Sequence, residues 1–188
     1  MDRPIGPGVG MRPDSLSTPK TNRFTIVPIQ EDEPNDIGYH FEIDALAPVV
    51  VGVQPHAEMW HRPLAYRMRD QILHWQETFC DDPVLIPVVI SDVWYVNHRA
   101  YESRPVISIG EPRVNALTAF LTDKLPVAAA EEEQYLVQIQ DSFQVARACL
   151  WGNQPNRTQD AVDVFLDRFL DDWMRRVIEV QEATTICD

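Results

Sequence analysis

The chain has 188 residues and a formal net charge of −13, with 45% apolar and 24% charged residues. That length supports one sizeable core and is short for two, and the balance of residue types excludes disorder of the whole chain. The surplus of negative charge repels phosphate backbones and anionic lipid, so neither nucleic acid nor a membrane is expected as a partner.

The first 22 residues are rich in Pro, Gly, Ser and Thr and hold almost no large apolar side chain. Burial cannot offset the cost of ordering them, so 1–22 is expected to be a disordered tail. Arg3, Arg12, Lys20 and Arg23 against Asp2 and Asp14 give residues 1–23 a local charge of +2, which leaves −15 for the rest. Gly6-Pro7-Gly8-Val9-Gly10 has neither a strand before it nor a helix after it, so it is no phosphate loop. A single domain is expected over 23–182, followed by a short tail, 183–188.

Within the domain, Phe24–Ile29 reads as a short edge strand because of Pro28, and Tyr39–Ile43 as another. Pro48–Val53 is a β-branched run suited to a strand buried on both faces. A helix opens near Pro63, with Leu64, Met68, Ile72, Trp75 and Phe79 as its apolar stripe. Val84–Ser91 and Pro105–Gly110 read as two further buried strands. Pro112 suits the first turn of the next helix, whose stripe is Val114, Leu117, Leu121 and Leu125. Ala128–Gln134 reads as an acidic linker. Tyr135–Gln140 alternates apolar and polar residues, and with Val145–Trp151 it predicts an antiparallel hairpin. One long helix is expected from about Thr158 to about Val180, with Val162, Leu166, Phe169, Trp173 and Val177 turned inward. The expected fold is therefore α/β, a three-layer-like sandwich with a mixed, mostly parallel sheet, a late β-hairpin and a long C-terminal helix.

Three strand-to-helix junctions share a Gly-then-Pro layout: Gly52-Val53-Gln54-Pro55, Gly110-Glu111-Pro112 and Gly152-Asn153-Gln154-Pro155. If their strands run parallel, all three loops lie at the carboxyl edge of the sheet, where ligands of open α/β sheets bind. That places Asp92, Tyr95, Asn97, Glu111, Arg113, Asn115, Asn153 and Arg157 as candidates for contacting a ligand or partner. Asp92 ranks first, because no helix is expected directly after it. With His98 it would supply an acid–base pair if the two converge. The competing explanation is local, since Asp and Asn cap helices and turns.

His56, Glu58 and His61 fall within six residues, the only grouping with metal-ligating composition, but no HExxH or zinc-deaminase cysteine pair accompanies them. No metal and no cofactor is expected. Cys80, Cys149 and Cys187 are odd in number and widely spaced, as in a reduced, cytoplasmic protein, and no apolar run has the length of a membrane span. Cys149 lies in an apolar strand, where a thiol packs as a small hydrophobe. There is no P-loop, dinucleotide-binding glycine motif, GxSxG elbow or kinase signature. Sequence alone leaves catalysis open. It favours a non-catalytic interaction or accessory module of an intracellular complex, with a protein partner expected and self-association left open. The alternative is a small polar ligand-binding or hydrolytic domain using the carboxyl-edge loops.

Overall fold

The computed structural model describes residues 45–132, 134–140 and 145–185, with side chains as far as 181. The expectations for 1–22, 24–29, 39–43 and Cys187 lie outside the described residues. The described chain runs β1 (Leu46–Val51), α1 (Pro55–Trp60), α2 (Arg62–Phe79), β2 (Ile86–Ser91), α3 (Asp92–Asn97), a short 3-10 turn (Arg99–Tyr101), β3 (Val106–Ile109), α4 (Ala116–Leu121), β4 (Val127–Glu131), β5 (Tyr135–Ile139), β6 (Arg147–Gly152), α5 (Pro155–Arg168) and α6 (Leu170–Thr185). The six strands form one sheet in the order β2-β1-β3-β6-β5-β4. β2, β1, β3 and β6 are parallel, while β5 runs antiparallel to both β6 and β4. This is the expected mixed, mostly parallel α/β sheet with helices on both faces.

Strand periodicity divides the interior in two. Val49 and Val51 of β1, Ile107 and Ile109 of β3, and Ala148 and Leu150 of β6 face a core shared with Met68, Ile72, Val162, Phe165, Trp173 and Met174. The alternate residues Val50, Val106 and Cys149 face a second, smaller core with Tyr95, Leu117, Leu121 and Leu125. The helices that follow β1 and β6 therefore cover one face, and those that follow β2 and β3 cover the other. Because both faces of β1 and β3 are buried, β1 is a continuous apolar run and β3 is apolar but for Ser108, whose hydroxyl is 2.8 Å from that of Thr118.

Several sequence expectations are corrected. β2 is an edge strand, mostly half-buried, a position that tolerates Pro87 and its missing N–H. Of the expected linker Ala128–Gln134, residues 128–131 belong to β4; alanine carries little β propensity, so only pairing with β5 makes this segment a strand. Phe79 closes α2 but is 60% exposed, and Ala65 and Gln76 complete the buried face instead. The long C-terminal helix is two helices, α5 and α6, broken where Phe169 leaves helical backbone geometry (φ −126°, ψ −18°). Phe169 N–H still bonds to the Phe165 carbonyl, and Trp173 N–H to that of Phe169, so the chain bends without losing its ladder. The bend brings Trp173 edge-on to Phe165, 6.3 Å between ring centres, and sets Asp171 to accept from Trp75 Nε1 at 2.9 Å. No proline or glycine announces it. α6 also runs past residue 182, to Thr185. Among the described residues no helix is long and apolar enough to cross a membrane.

Candidate functional site

Since β1, β3 and β6 are mutually parallel, the three Gly-then-Pro loops do share the carboxyl edge. Adjacent strands β1 and β3 send their chains to opposite faces, which opens the kind of crevice where α/β sheets bind ligands. Here the chain itself fills that crevice. A Cβ at Gly52 would lie 1.7 Å from the Val114 carbonyl oxygen, and one at Gly110 would lie 2.4 Å from His61 Nδ1. Gly110 also has φ of 111°, a region that disfavours any side chain. At β6, a Cβ on Gly152 would meet the Arg157 carbonyl carbon at 2.4 Å, because the first turn of α5 docks there and Thr158 Oγ1 accepts the Gly152 N–H at 3.1 Å. Glycine at each junction thus admits a neighbouring segment of this chain.

Asn115 locks the crevice. It is 1% exposed; Nδ2 donates to the Val50 carbonyl of β1 (3.2 Å) and the Ile109 carbonyl of β3 (3.0 Å). Its Oδ1 accepts the N–H groups of Leu117 and Thr118, capping α4. This corrects the expectation for Pro112, which lies in the turn before α4 rather than in its first turn; the helix begins only where Asn115 supplies acceptors.

Asp92 is likewise structural in its contacts. A helix does begin at it, contrary to expectation, and Ser91 caps that helix by accepting the Trp94 N–H at 3.2 Å. Serine followed by aspartate is a helix-start signal that the sequence reading passed over. Asp92 is 5% exposed, with Oδ1 accepting the Val93 N–H and Oδ2 the Ala116 N–H, each at 2.8 Å. One carboxylate thereby joins the starts of α3 and α4. Tyr95 and Asn97 lie on this helix, not in a loop. Tyr95 is buried, donates to the Tyr101 carbonyl at 3.2 Å, and its hydroxyl pKa is raised by burial. Asn97 is exposed at the far end of α3 and donates to the Val93 carbonyl at 2.7 Å. His98 lies beyond it, with Nδ1 2.7 Å from the Trp94 carbonyl, so Asp92 and His98 flank opposite ends of α3 and do not pair.

The remaining candidates stay near the solvent. Glu111 is half-buried and lies 3.5 Å from exposed Arg113, whose carbonyl accepts from Gln54 Nε2 at 3.4 Å. Arg157 pairs with Asp160 at 2.9 Å. Asn153 is exposed at the end of β6 and donates its N–H to the Gln134 carbonyl at 3.1 Å. The structure brings Asp92 and Asn115 together through α4, but places Asn97 and Asn153 away from them. Of the three metal-ligand candidates, Glu58 is held by Arg62, and exposed His56 meets His61 only edge-on, 5.5 Å between ring centres. Among the described residues no group of three or more His, Cys, Asp or Glu side chains is placed to hold a metal ion.

Two features go beyond the sequence reading, the burial of His61 and the exposure of Trp60 and Trp94. His61, between α1 and α2, is 1% exposed, and its Nδ1 has no hydrogen-bond partner. Burial, reinforced by His56, lowers its pKa to about 4, so the ring is neutral. The other is a surface of exposed side chains after β1 and β2: Val53 (48%), Met59 (65%) and Trp60 (51%), with Val93 (48%), Trp94 (53%) and Val96 (53%) on α3. Trp94 is held in place, stacked on His98 at 4.3 Å with Nε1 donating to Tyr101 Oη at 3.2 Å. Aromatic composition was the available signal, but exposure belongs to tertiary structure. No protein-family profile matches the chain, and no curated protein matches its sequence.

Proposed function

We propose that this domain is a non-catalytic interaction module of an intracellular complex, binding a protein partner through the aromatic and aliphatic side chains that follow β1 and β2. The observation that carries this reading is the crevice between β1 and β3. Where a ligand-binding sheet leaves a cleft, this chain packs Val114 on Gly52 and His61 on Gly110, and Asn115 bridges the two strands. The polar candidates there bond to backbone groups. The large apolar side chains nearby remain in solvent, with Trp94 fixed in orientation as an anchor residue at an interface would be.

Affinity capture of the full chain from its host's lysate, with a Trp60→Ala/Trp94→Ala variant in parallel, tests the reading. The expected result is a specific partner retained by the natural chain and lost by the variant, while an Arg113→Ala chain retains it. Thermal unfolding should shift little in the double variant, because both side chains are about half exposed. Undiminished capture by a folded double variant would refute the assignment of this surface.

A further inference from the structure

The opposite end of the sheet carries a second open surface, independent of the aromatic one. Among the described residues β4 is the outer strand, paired on one side only with a register shift between Val127 and Ala129, and its residues Val127-Ala128-Ala129-Ala130-Glu131 are exposed except for half-buried Ala129. Natural sheets guard such edges with proline, lysine or a covering segment. The other edge strand, β2, contains Pro87, whereas β4 contains neither proline nor lysine. Alternate residues of an antiparallel edge strand turn their N–H and C=O groups outward, so β4 is a template for another strand.

Beside it lies a groove of about 550 Å³ lined by Ala130, Glu131, Glu132, Gln134, Tyr135, Leu136, Trp151 and Asn153. Ala130 pairs with Leu136, and Leu136 with Trp151, so these three side chains form one row across three strands on one face of the sheet. Neighbouring strands are about 4.8 Å apart. A long side chain from a strand laid on β4 therefore passes over the small Ala130 methyl and reaches Leu136 and the Trp151 ring.

Two lining residues carry buried atoms without a hydrogen-bond partner, the acceptor Gln134 Oε1 and the donor Trp151 Nε1. Gln134 donates through Nε2 to Glu131 at 2.7 Å, which holds that carboxylate at the groove. Glu131 and Glu132 add negative charge at the same place, on a chain with a net charge of −13. A guest suited to this place brings positive charge for the two carboxylates and backbone for the strand edge.

We propose that the edge of β4 and the groove over Ala130, Leu136 and Trp151 bind an extended peptide segment of another protein, a lysine or arginine of which enters the groove. The cationic head group faces Glu131 and Glu132, and its aliphatic stem lies on Leu136 and Trp151. A second copy of this chain fits less well, because two bodies of the same strong negative charge repel.

The test is titration of the isotope-labelled full chain, followed by amide and indole NMR shifts, with the capped heptapeptide Thr-Val-Lys-Val-Lys-Val-Thr and its counterpart carrying glutamate in place of both lysines. The lysine peptide should shift the amides of 127–131 and the Trp151 indole N–H, and should bind more weakly at high salt. The glutamate peptide should leave both in place. Glu131→Gln/Glu132→Gln, two rim substitutions that leave the core untouched, and Trp151→Phe, which leaves a smaller ring for the stem to lie on, should each weaken binding about three- to tenfold. No binding, equal binding of the two peptides, or shifts centred outside β4 and the groove would overturn the proposal. So would a concentration-dependent dimer without peptide that broadens the same β4 amides, which would give the edge to a second copy.

Discussion

Replacing Asp92 by asparagine tests whether this carboxylate serves the fold or a ligand. Its two oxygens accept the N–H groups of Val93 and Ala116, each at 2.8 Å, and the side chain is 5% exposed. Asparagine offers one oxygen and one NH₂ group, so one of the two amides then faces another donor. Losing a hydrogen bond to a charged acceptor costs about 1.5–3 kcal/mol. Removing negative charge from the starts of two short helices costs about 0.3 kcal/mol at each, the low end for such contacts. Sparing the buried charge its desolvation returns part of this, which leaves a loss of about 2–3 kcal/mol. For a domain of this size that lowers Tm by about 5–10 °C. Urea unfolding followed by circular dichroism measures it directly. A loss below about 0.5 kcal/mol would show that the carboxylate does not hold α3 to α4, and would restore Asp92 as a residue free to bind something else.

Gly52→Ala should cost about 3 kcal/mol or more, visible in the same urea midpoint, because its Cβ would fall 1.7 Å from the Val114 carbonyl oxygen and the loop between β3 and α4 would have to part from β1. Stability should also depend on His61: its folded pKa is lowered from 6.5 to about 4, so its neutral ring favours folding fully above about pH 6.5 and progressively less as pH falls towards 4. Across that window His61→Leu should show a smaller fall in Tm than the natural chain, and an identical acid limb would disprove the contribution. Cys149 is fully buried and its thiol is pushed up to about 12 by burial, so a thiol reagent should leave it unmodified in the native protein and label it on unfolding, whereas half-buried Cys80 should react first. Native labelling of Cys149, read by peptide mass, would contradict its packing in the second core.

The sequence by itself determined the fold class, because burial on both faces writes itself into β1 as an uninterrupted apolar run and into β3 as one broken only by Ser108, and one-sided burial writes itself into α2 as a stripe. It also located the carboxyl-edge loops, since Gly and Pro have strong local effects on the backbone. Local chemistry was legible even where it was misread: Ser91 and Asp92 form a helix start whatever surrounds them. What only the tertiary structure decided is what each of these features meets. That Asn115 reaches Val50, 65 residues away in sequence, and that Asp92 reaches Ala116 are long-range pairings no local pattern encodes. The same holds for β4, whose alanines become a strand only beside β5, and for the bend at Phe169, where packing of Trp173 on Phe165 takes the place of a helix breaker. Exposure follows the same rule. Trp75 and Trp94 are the same residue type, each on a helix after a strand, yet Trp75 is 8% exposed and Trp94 53%, because only the assembled layers determine which face is covered.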